Sequence, residues 1–289
     1  MSTPPSSTDS TASAASATSA TSGWSSSGAP PKLTRIPAPI SRVAQVENLE
    51  HICLIATDVD GTLTRAGKLD PAALAAIWRL MVAGVTVVPV SGRPAGEVQG
   101  LVRYMPGVVR GLAENGLVEI VPDHAPRWLG RPTDRDRLHR VGERLNAEFA
   151  AGLRLTGDDY CRLGDVAYER EGRDEVELVR LRRHAEALGV HLVWSNVHVH
   201  LAEAVPDKGV AVLQLARELA VDPGRVATIG DAPNDAGLFI AGRFGLTVGT
   251  ADVTAQLEHF PDPPRAVTAG REAAGFVELA EALLAARGV

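Results

Sequence analysis

The chain has 289 residues, with 29 Lys+Arg against 35 Asp+Glu and a formal net charge of −6. That length holds one large domain or two modest ones. The mildly acidic balance shows no basic stripe for nucleic acid, and no apolar run approaches the ~20 residues of a membrane-spanning helix. Cys53 and Cys161 are the two cysteines; they give no disulfide framework and fit a reducing, cytoplasmic setting.

Residues 1–32 are almost all Ser, Thr, Ala, Pro and Gly. Such a segment buries too little apolar surface to offset its ordering entropy and reads as a disordered tail. It lacks the basic start and apolar stretch of a secretory signal. Residues 33–50 read as a linker, with a short helix over 41–49.

Residues 52–64 read I-C-L-I-A-T-D-V-D-G-T-L-T. The short apolar run 52–56 predicts a strand buried on both faces of a parallel sheet, with Cys53 inside it. Thr57 continues the strand and delivers Asp58 and Asp60 at its carboxyl end, where open α/β sheets bind ligands. Gly61 permits a sharp turn and Thr62 supplies a hydroxyl. Two carboxylates at this spacing can hold a hard cation such as Mg²⁺. One of them can also attack phosphorus and carry an aspartyl-phosphate. The plain alternative is an Asx turn behind a core strand.

Asp70-Pro71 begins a helix over 71–83: Asp70 suits the N-cap and Pro71 the first helical position. Gly84 closes it. A second apolar run, 85–90, ends in Ser91-Gly92-Arg93-Pro94. Strand, helix and strand in some forty residues make a right-handed βαβ unit with parallel strands. Ser91 therefore lies beside Asp58, where its hydroxyl and the Gly92 backbone can bind phosphate oxygens; Arg93 can add a bidentate contact. A helix over 94–104 and a strand over 108–113 lead to Glu114-Asn115-Gly116, a turn signal.

The segment that follows has a different grammar: strand 117–121, helix 133–149, strands 153–156 and 165–169, helix 174–188, and a strand pair 191–195 and 197–201. This predicts an open-faced α+β sheet with helices on one side. By alternation, Trp194, Asn196, His198 and His200 share a polar face, and Ser195, Val197, Val199 and Leu201 an apolar one that packs on the helices. His198 and His200 raise zinc binding, but no nearby Cys or His completes a tetrahedral set. Tyr160 and Arg162 sit in a Gly/Asp-rich loop that could reach a site.

Val205-Pro206-Asp207-Lys208-Gly209 opens a helix over 209–219. A lysine at a helix N-terminus opposes the macrodipole, so Lys208 needs another reason to be there; the plain alternative is a solvated lysine. A strand over 225–229 ends in Gly230-Asp231-Ala232-Pro233-Asn234-Asp235. A strand over 244–248 and a helix over 271–286 close the chain.

These four stretches, D-V-D-G-T-L-T, S-G-R-P, the Lys208 helix start and G-D-x-x-N-D, resemble in order the motifs of the haloacid dehalogenase-like superfamily, in the Cof-like (type IIB) phosphatase form. The resemblance implies an α/β fold: a Rossmannoid parallel core over 51–114 and 203–289, with a type C2 cap inserted over 115–202. It implies Asp58 as nucleophile, Asp60 as general acid/base, and Lys208 neutralising Asp58 and the phosphoryl group. Mg²⁺ would be held by Asp58, Asp60 (through its backbone carbonyl), Asp231 and Asp235, with Asp235 acting directly, through water or by orienting Lys208. Thr62, Ser91, Gly92, Arg93 and Asn234 would bind phosphate. The implied activity is hydrolysis of a small phosphomonoester, a sugar phosphate or phosphoglycolate-like. A phosphomannomutase-like phosphotransferase shares D-V-D-G-T-L-T and E-N-G-L-V but differs at S-G-R-P. A non-catalytic phosphometabolite-binding protein is the remaining alternative, against which the intact Asp58, Asp60, Lys208 and Asp231 speak.

Overall fold

The computed structural model of the protein describes residues 40–195 and 197–289. The tail over 1–32, the first part of the linker and Asn196 therefore lie outside the described residues.

Ser41–Arg42 form a short strand, β1, and Val43–Gln45 a single 3₁₀ turn, where the sequence pattern suggested one helix over 41–49. β1 adds to the sheet edge instead, because its partner Ala266–Val267 offers an open parallel ladder. β2 (Leu54–Thr57) is buried throughout. After it, β3 (Thr64–Arg65) and β4 (Lys68–Leu69) form a small hairpin. Helix α1 (Pro71–Val82) starts as expected: the Asp70 carboxylate accepts from the Ala72 N–H at 2.7 Å. β5 (Thr86–Pro89), α2 (Ala95–Tyr104) and β6 (Gly111–Ala113) follow.

The next strand, β7 (Val118–Ile120), pairs antiparallel with β6 and then with β8 (Arg127–Trp128). The strand expected at the start of the inserted sheet thus extends the core side, since the tight Glu114–Gly116 turn folds it straight back. The inserted layer is built from α3 (Arg135–Phe149), β9 (Asp165–Glu169), α4 (Glu175–Ala187), β10 (His191–Trp194) and β11 (His198–Ala202). Its sheet order is β10-β11-β9, all antiparallel. Of the strand expected over 153–156, only Leu155 bridges to Tyr168.

The chain then returns through α5 (Lys208–Glu218), β12 (Val226–Gly230), α6 (Ala236–Phe239), β13 (Leu246–Gly249), β14 (Ala266–Val267) and α7 (Glu272–Ala285). The main sheet has the order β1-β14-β13-β12-β2-β5, and every pairing is parallel. Apolar side chains cover both of its faces. Ile55, Val87, Ile229 and Val248 pack against α1, α2 and α7. Leu54, Ala56, Val88 and Val226 pack against α5 and α6. The inserted layer has its own apolar cluster between its sheet and α3 and α4. This is an α/β fold with an inserted α+β cap.

Face assignments around the cap hairpin differ from the sequence reading: Ser195 and Val197, expected on the apolar face, line the cavity described below beside His198 and His200, and Trp194 moves the other way. Trp194 lies opposite Val199, and Leu192 opposite Leu201, so Trp194 joins the apolar face and is buried in the cap cluster. Alternation runs within each strand, but the turn sets the register between them.

Candidate active site

The carboxyl ends of β2, β5 and β12 meet at one edge of the main sheet, and the sharp turns beyond them aim side chains into a shared space. At the end of β2 the Asp58 N–H bonds to the Ile229 carbonyl at 2.9 Å. Gly61 has φ +86°, and a Cβ there would lie 2.6 Å from the Asp231 carboxyl carbon, so only glycine fits this approach. The N-cap of α5, Asp207, accepts from the Val210 N–H at 2.9 Å and fixes Lys208 as the first helical residue.

Lys208 is fully buried. Its Nζ donates to Asp58 Oδ1 at 2.5 Å and to Asp235 Oδ1 at 2.6 Å. This is the partner that its position against the helix dipole required. The other Asp235 oxygen accepts from the backbone N–H groups of Asp231 and Ala232, at 2.9 and 3.1 Å. Asp235 thus ties the lysine to the loop that carries Asp231. Thr62 is buried and donates its hydroxyl to Asp231 Oδ1 at 3.2 Å. It braces a carboxylate and does not line the cavity described below.

Asp58, Asp231 and Asp235 are the one set of three among the described residues whose possible ligand atoms all lie within 4.8 Å of one another. All three are buried around a single ammonium. Burial pushes the Asp58 carboxyl up to about 7; Lys208 opposes this, while Asp235 and Asp60 add to it. Burial, reinforced by Asp58 and Asp235, also holds Asp231 well above the usual carboxylate range. For Lys208, burial disfavours the ammonium, but Asp235 and Asp58 outweigh it and raise its pKa. An all-oxygen donor set with excess negative charge suits Mg²⁺. Among the described residues, His198 and His200 belong to no such set.

Asp60 stands apart from this trio. Arg93 donates to its two oxygens, at 2.6 and 2.7 Å, and also to Glu97 at 2.5 Å. Arg93 is therefore held by carboxylates rather than aimed outward. Ser91 is buried, and its Oγ accepts from the Arg93 N–H at 3.1 Å. Asn234 Nδ2 donates to Asn115 Oδ1 at 3.2 Å.

A cavity of about 140 Å³ opens between this edge and the cap, lined by Asp58, Asp60, Arg93, Asp158, His198 and Asn234 among others. Gly92, His200 and Ser195 also reach it. Tyr160 is 87% exposed and does not line it. Arg162 is fully buried and joins the two layers: it donates to the Gly92 carbonyl at 3.1 Å, to Asp165 at 3.0 Å and to Asp158 at 2.9 Å. His200 Nδ1 lies 2.8 Å from the second Asp165 oxygen. The Glu114 carboxylate receives the N–H groups of Ala95, Leu163, Gly164 and Asp165, a second link between core and cap. Sequence reasoning missed Glu97, Asp158 and Asp165, and it saw Glu114 only as a turn. The Arg93–Glu97 and Asp158–Arg162 spacings of four were the available signals.

Comparison with known proteins agrees with this geometry. The family model described as haloacid dehalogenase-like hydrolase matches residues 175–258. A phosphoglycolate phosphatase of Pyrobaculum neutrophilum is 32% identical over 236 residues, covering 80% of this chain and 95% of its own. The chain belongs to the haloacid dehalogenase-like hydrolases. It is a phosphatase of that family. A phosphoglycolate phosphatase of Methanoculleus marisnigri is 30% identical over 69% of this chain and 85% of its own. Among solved structures, the Thermoplasma acidophilum 0175 protein superposes with a TM-score of 0.66 at 21% identity, over 81% of this chain and 98% of that one. No helix among the described residues of this phosphatase is long and apolar enough to cross a membrane.

Proposed function

We propose that this phosphatase hydrolyses phosphoglycolate, or a phosphomonoester of similar size, with Mg²⁺ as cofactor and an aspartyl-phosphate on Asp58 as intermediate. The observation that carries the mechanism is the buried Lys208 bridging Asp58 and Asp235 beside Asp231. The substrate reading rests on the two phosphoglycolate phosphatases above and on the 140 Å³ cavity, which is below the usual ~300–1,000 Å³ of sites for larger ligands.

The phosphoryl group enters beside Asp58, whose carboxylate attacks phosphorus in line with the leaving oxygen. Lys208 offsets charge on the phosphoryl oxygens as the bond to the alcohol breaks. Ser91, with Oγ already accepting from Arg93, keeps its O–H for a phosphoryl oxygen; the Gly92 and Asn234 amides complete the cradle. Asp60 protonates the departing alcohol. It then takes a proton from the water that attacks the aspartyl-phosphate, which frees Asp58 and releases phosphate. Arg93 keeps the Asp60 carboxyl on the leaving-group side. The side chains of Asp58, Asp231 and Asp235 and the Asp60 backbone carbonyl would hold Mg²⁺, which would supply further charge compensation. The inserted 115–202 segment supplies, through α3, β9, α4, β10 and β11, the cap that limits access, over a core of 51–114 and 203–289 that β7 extends. Thr62 and Arg93 serve this reading as braces of Asp231 and Asp60.

The test is phosphate release with Mg²⁺ from a panel that includes phosphoglycolate, hexose phosphates and nucleotides, wild type beside Asp58→Asn. Turnover of phosphoglycolate that vanishes in the variant and in EDTA is expected. No release from any compound, together with isomerisation of a hexose 1-phosphate, would overturn hydrolysis in favour of phosphoryl transfer between positions of a sugar.

A further inference from the structure

Asn115 has no part in the mechanism above, yet three residues of the proposed phosphate cradle are fixed against it. Its backbone N–H donates to the Ser91 carbonyl at 2.9 Å. Its amide packs against Gly92 so closely that a Cβ there would lie 3.2 Å from Asn115 Oδ1. Its Oδ1 receives Asn234 Nδ2. Ser91, Gly92 and Asn234 come from two different sheet-edge loops, and Asn115 is where they are cross-referenced.

The local backbone is unusual. Glu114 and Asn115 have φ +54° and +56°, a left-handed conformation that is uncommon outside glycine and that asparagine tolerates best. Gly116 continues it at φ +93°. The Glu114 side chain turns to the cap and the Asn115 side chain to the cradle, so this turn joins the two.

The amide pair is also incomplete. Asn115 Nδ2 and Asn234 Oδ1 are buried and have no hydrogen-bond partner. Exchanging oxygen and nitrogen in both amides preserves their mutual bond and again leaves one NH₂ and one carbonyl over. Buried polar groups are almost always satisfied, so an orphan pair beside a reaction centre points to a ligand. Asn234 lines the cavity that holds Asp58. Asn115 and Asn234 together also line the cleft next to it, so the pair sits at the wall between the two spaces.

We propose that Asn115 is a further residue of the phosphate site: it positions the Ser91–Gly92 turn and the Asn234 amide, and the pair's remaining N–H donates to the phosphoryl group. This rests on the phosphatase reading but not on which ester is cleaved. The test is calorimetric binding of inorganic phosphate to the full-length protein with Mg²⁺. Asn115→Gly keeps the left-handed backbone and removes the amide. Asn115→Asp keeps the shape and replaces the donor by a negative charge. Loss of a hydrogen bond to a charged group predicts phosphate affinity weaker by about ten- to a hundredfold in the glycine variant. The loss should be at least as large in the aspartate variant, with melting temperatures within a few degrees of wild type. The aspartate variant separates donation from a merely structural role for the turn, because it keeps an oxygen acceptor for Asn234 and changes only the donor. A change below tenfold in either folded variant overturns the inference; should the glycine variant fail to fold, the aspartate variant decides. Wild-type protein that binds no phosphate at all would instead sink the phosphatase reading beneath it.

Discussion

Replacing Asp231 by asparagine should make the metal-free protein more stable while destroying its activity. The structure crowds Asp58, Asp231 and Asp235 within 4.8 Å around one ammonium. At that separation and an effective dielectric of about 20, each like-charged pair costs about 3 kcal/mol. Wild type relieves part of this by holding protons: the Asp58 carboxyl is pushed up to about 7 and Asp231 is raised as well. The net gain from Asp231→Asn in EDTA at pH 7.5 is therefore about 1–3 kcal/mol, no more than the full cost of one such pair. Between about pH 4 and 7 the native state binds more protons than the unfolded chain, so wild-type stability falls as pH rises through that window. The variant lacks one of the raised carboxyls and should lose less. The two proteins should converge below about pH 4, where these carboxyls are protonated in the folded and unfolded chains alike, and separate progressively as pH rises. Urea unfolding in EDTA at a series of pH values measures this, with m unchanged. A variant less stable than wild type at pH 7.5, or a difference that does not vary with pH, would refute the account of the site as overcharged.

Mg²⁺ should raise the unfolding free energy of wild type by about 2.7 kcal/mol at a hundred times its dissociation constant, and much less in Asp231→Asn; an equal thermal shift in both proteins would place the metal elsewhere. Arg162→Met strands Asp158 and Asp165 without their buried partner and breaks the tie to the Gly92 carbonyl. It should cost about 3–5 kcal/mol in urea unfolding, and a loss below about 1 kcal/mol would count against a structural role. Gly116→Ala forces a side chain into a φ of +93° and brings its Cβ within 2.6 Å of Ala211. A loss of about 1–3 kcal/mol from the backbone alone is expected, together with lower turnover, because Ala211 lies on the helix that carries Lys208. Gly67→Ala, at φ +74° with nothing within 4 Å, should show the backbone cost without the loss of turnover.

Much of the layout of the candidate site was legible along the chain. A strand buried on both faces must be almost wholly apolar, so the carboxylates of Asp58, Asp60 and Asp231 stand out at its end, and parallel connectivity forces those ends to one edge. Asp70-Pro71 marked a helix start because capping is local chemistry between neighbouring residues. Lys208 was marked by a conflict, a cation at the wrong end of a helix dipole, which Asp58 and Asp235 resolve in the fold.

The remainder depended on contacts between residues far apart in sequence. Trp194 changed faces because a hairpin turn, not alternation, sets the register between β10 and β11. The 41–49 segment gave up part of its helix to an open sheet edge at Ala266–Val267, and the strand after Gly116 folded back on β6. Thr62 and Arg93 read as phosphate ligands, but Asp231 and Asp60 engage them first. Composition and periodicity report what each residue can offer: a donor, a charge, a buried surface. Which partner takes the offer is decided by three-dimensional proximity. That is why the family, the fold and the acidic cluster were readable along the chain, while the links of Arg162 and Glu114 between cap and core, and of Asn115 between the Ser91 and Asn234 loops, exist only in the folded molecule.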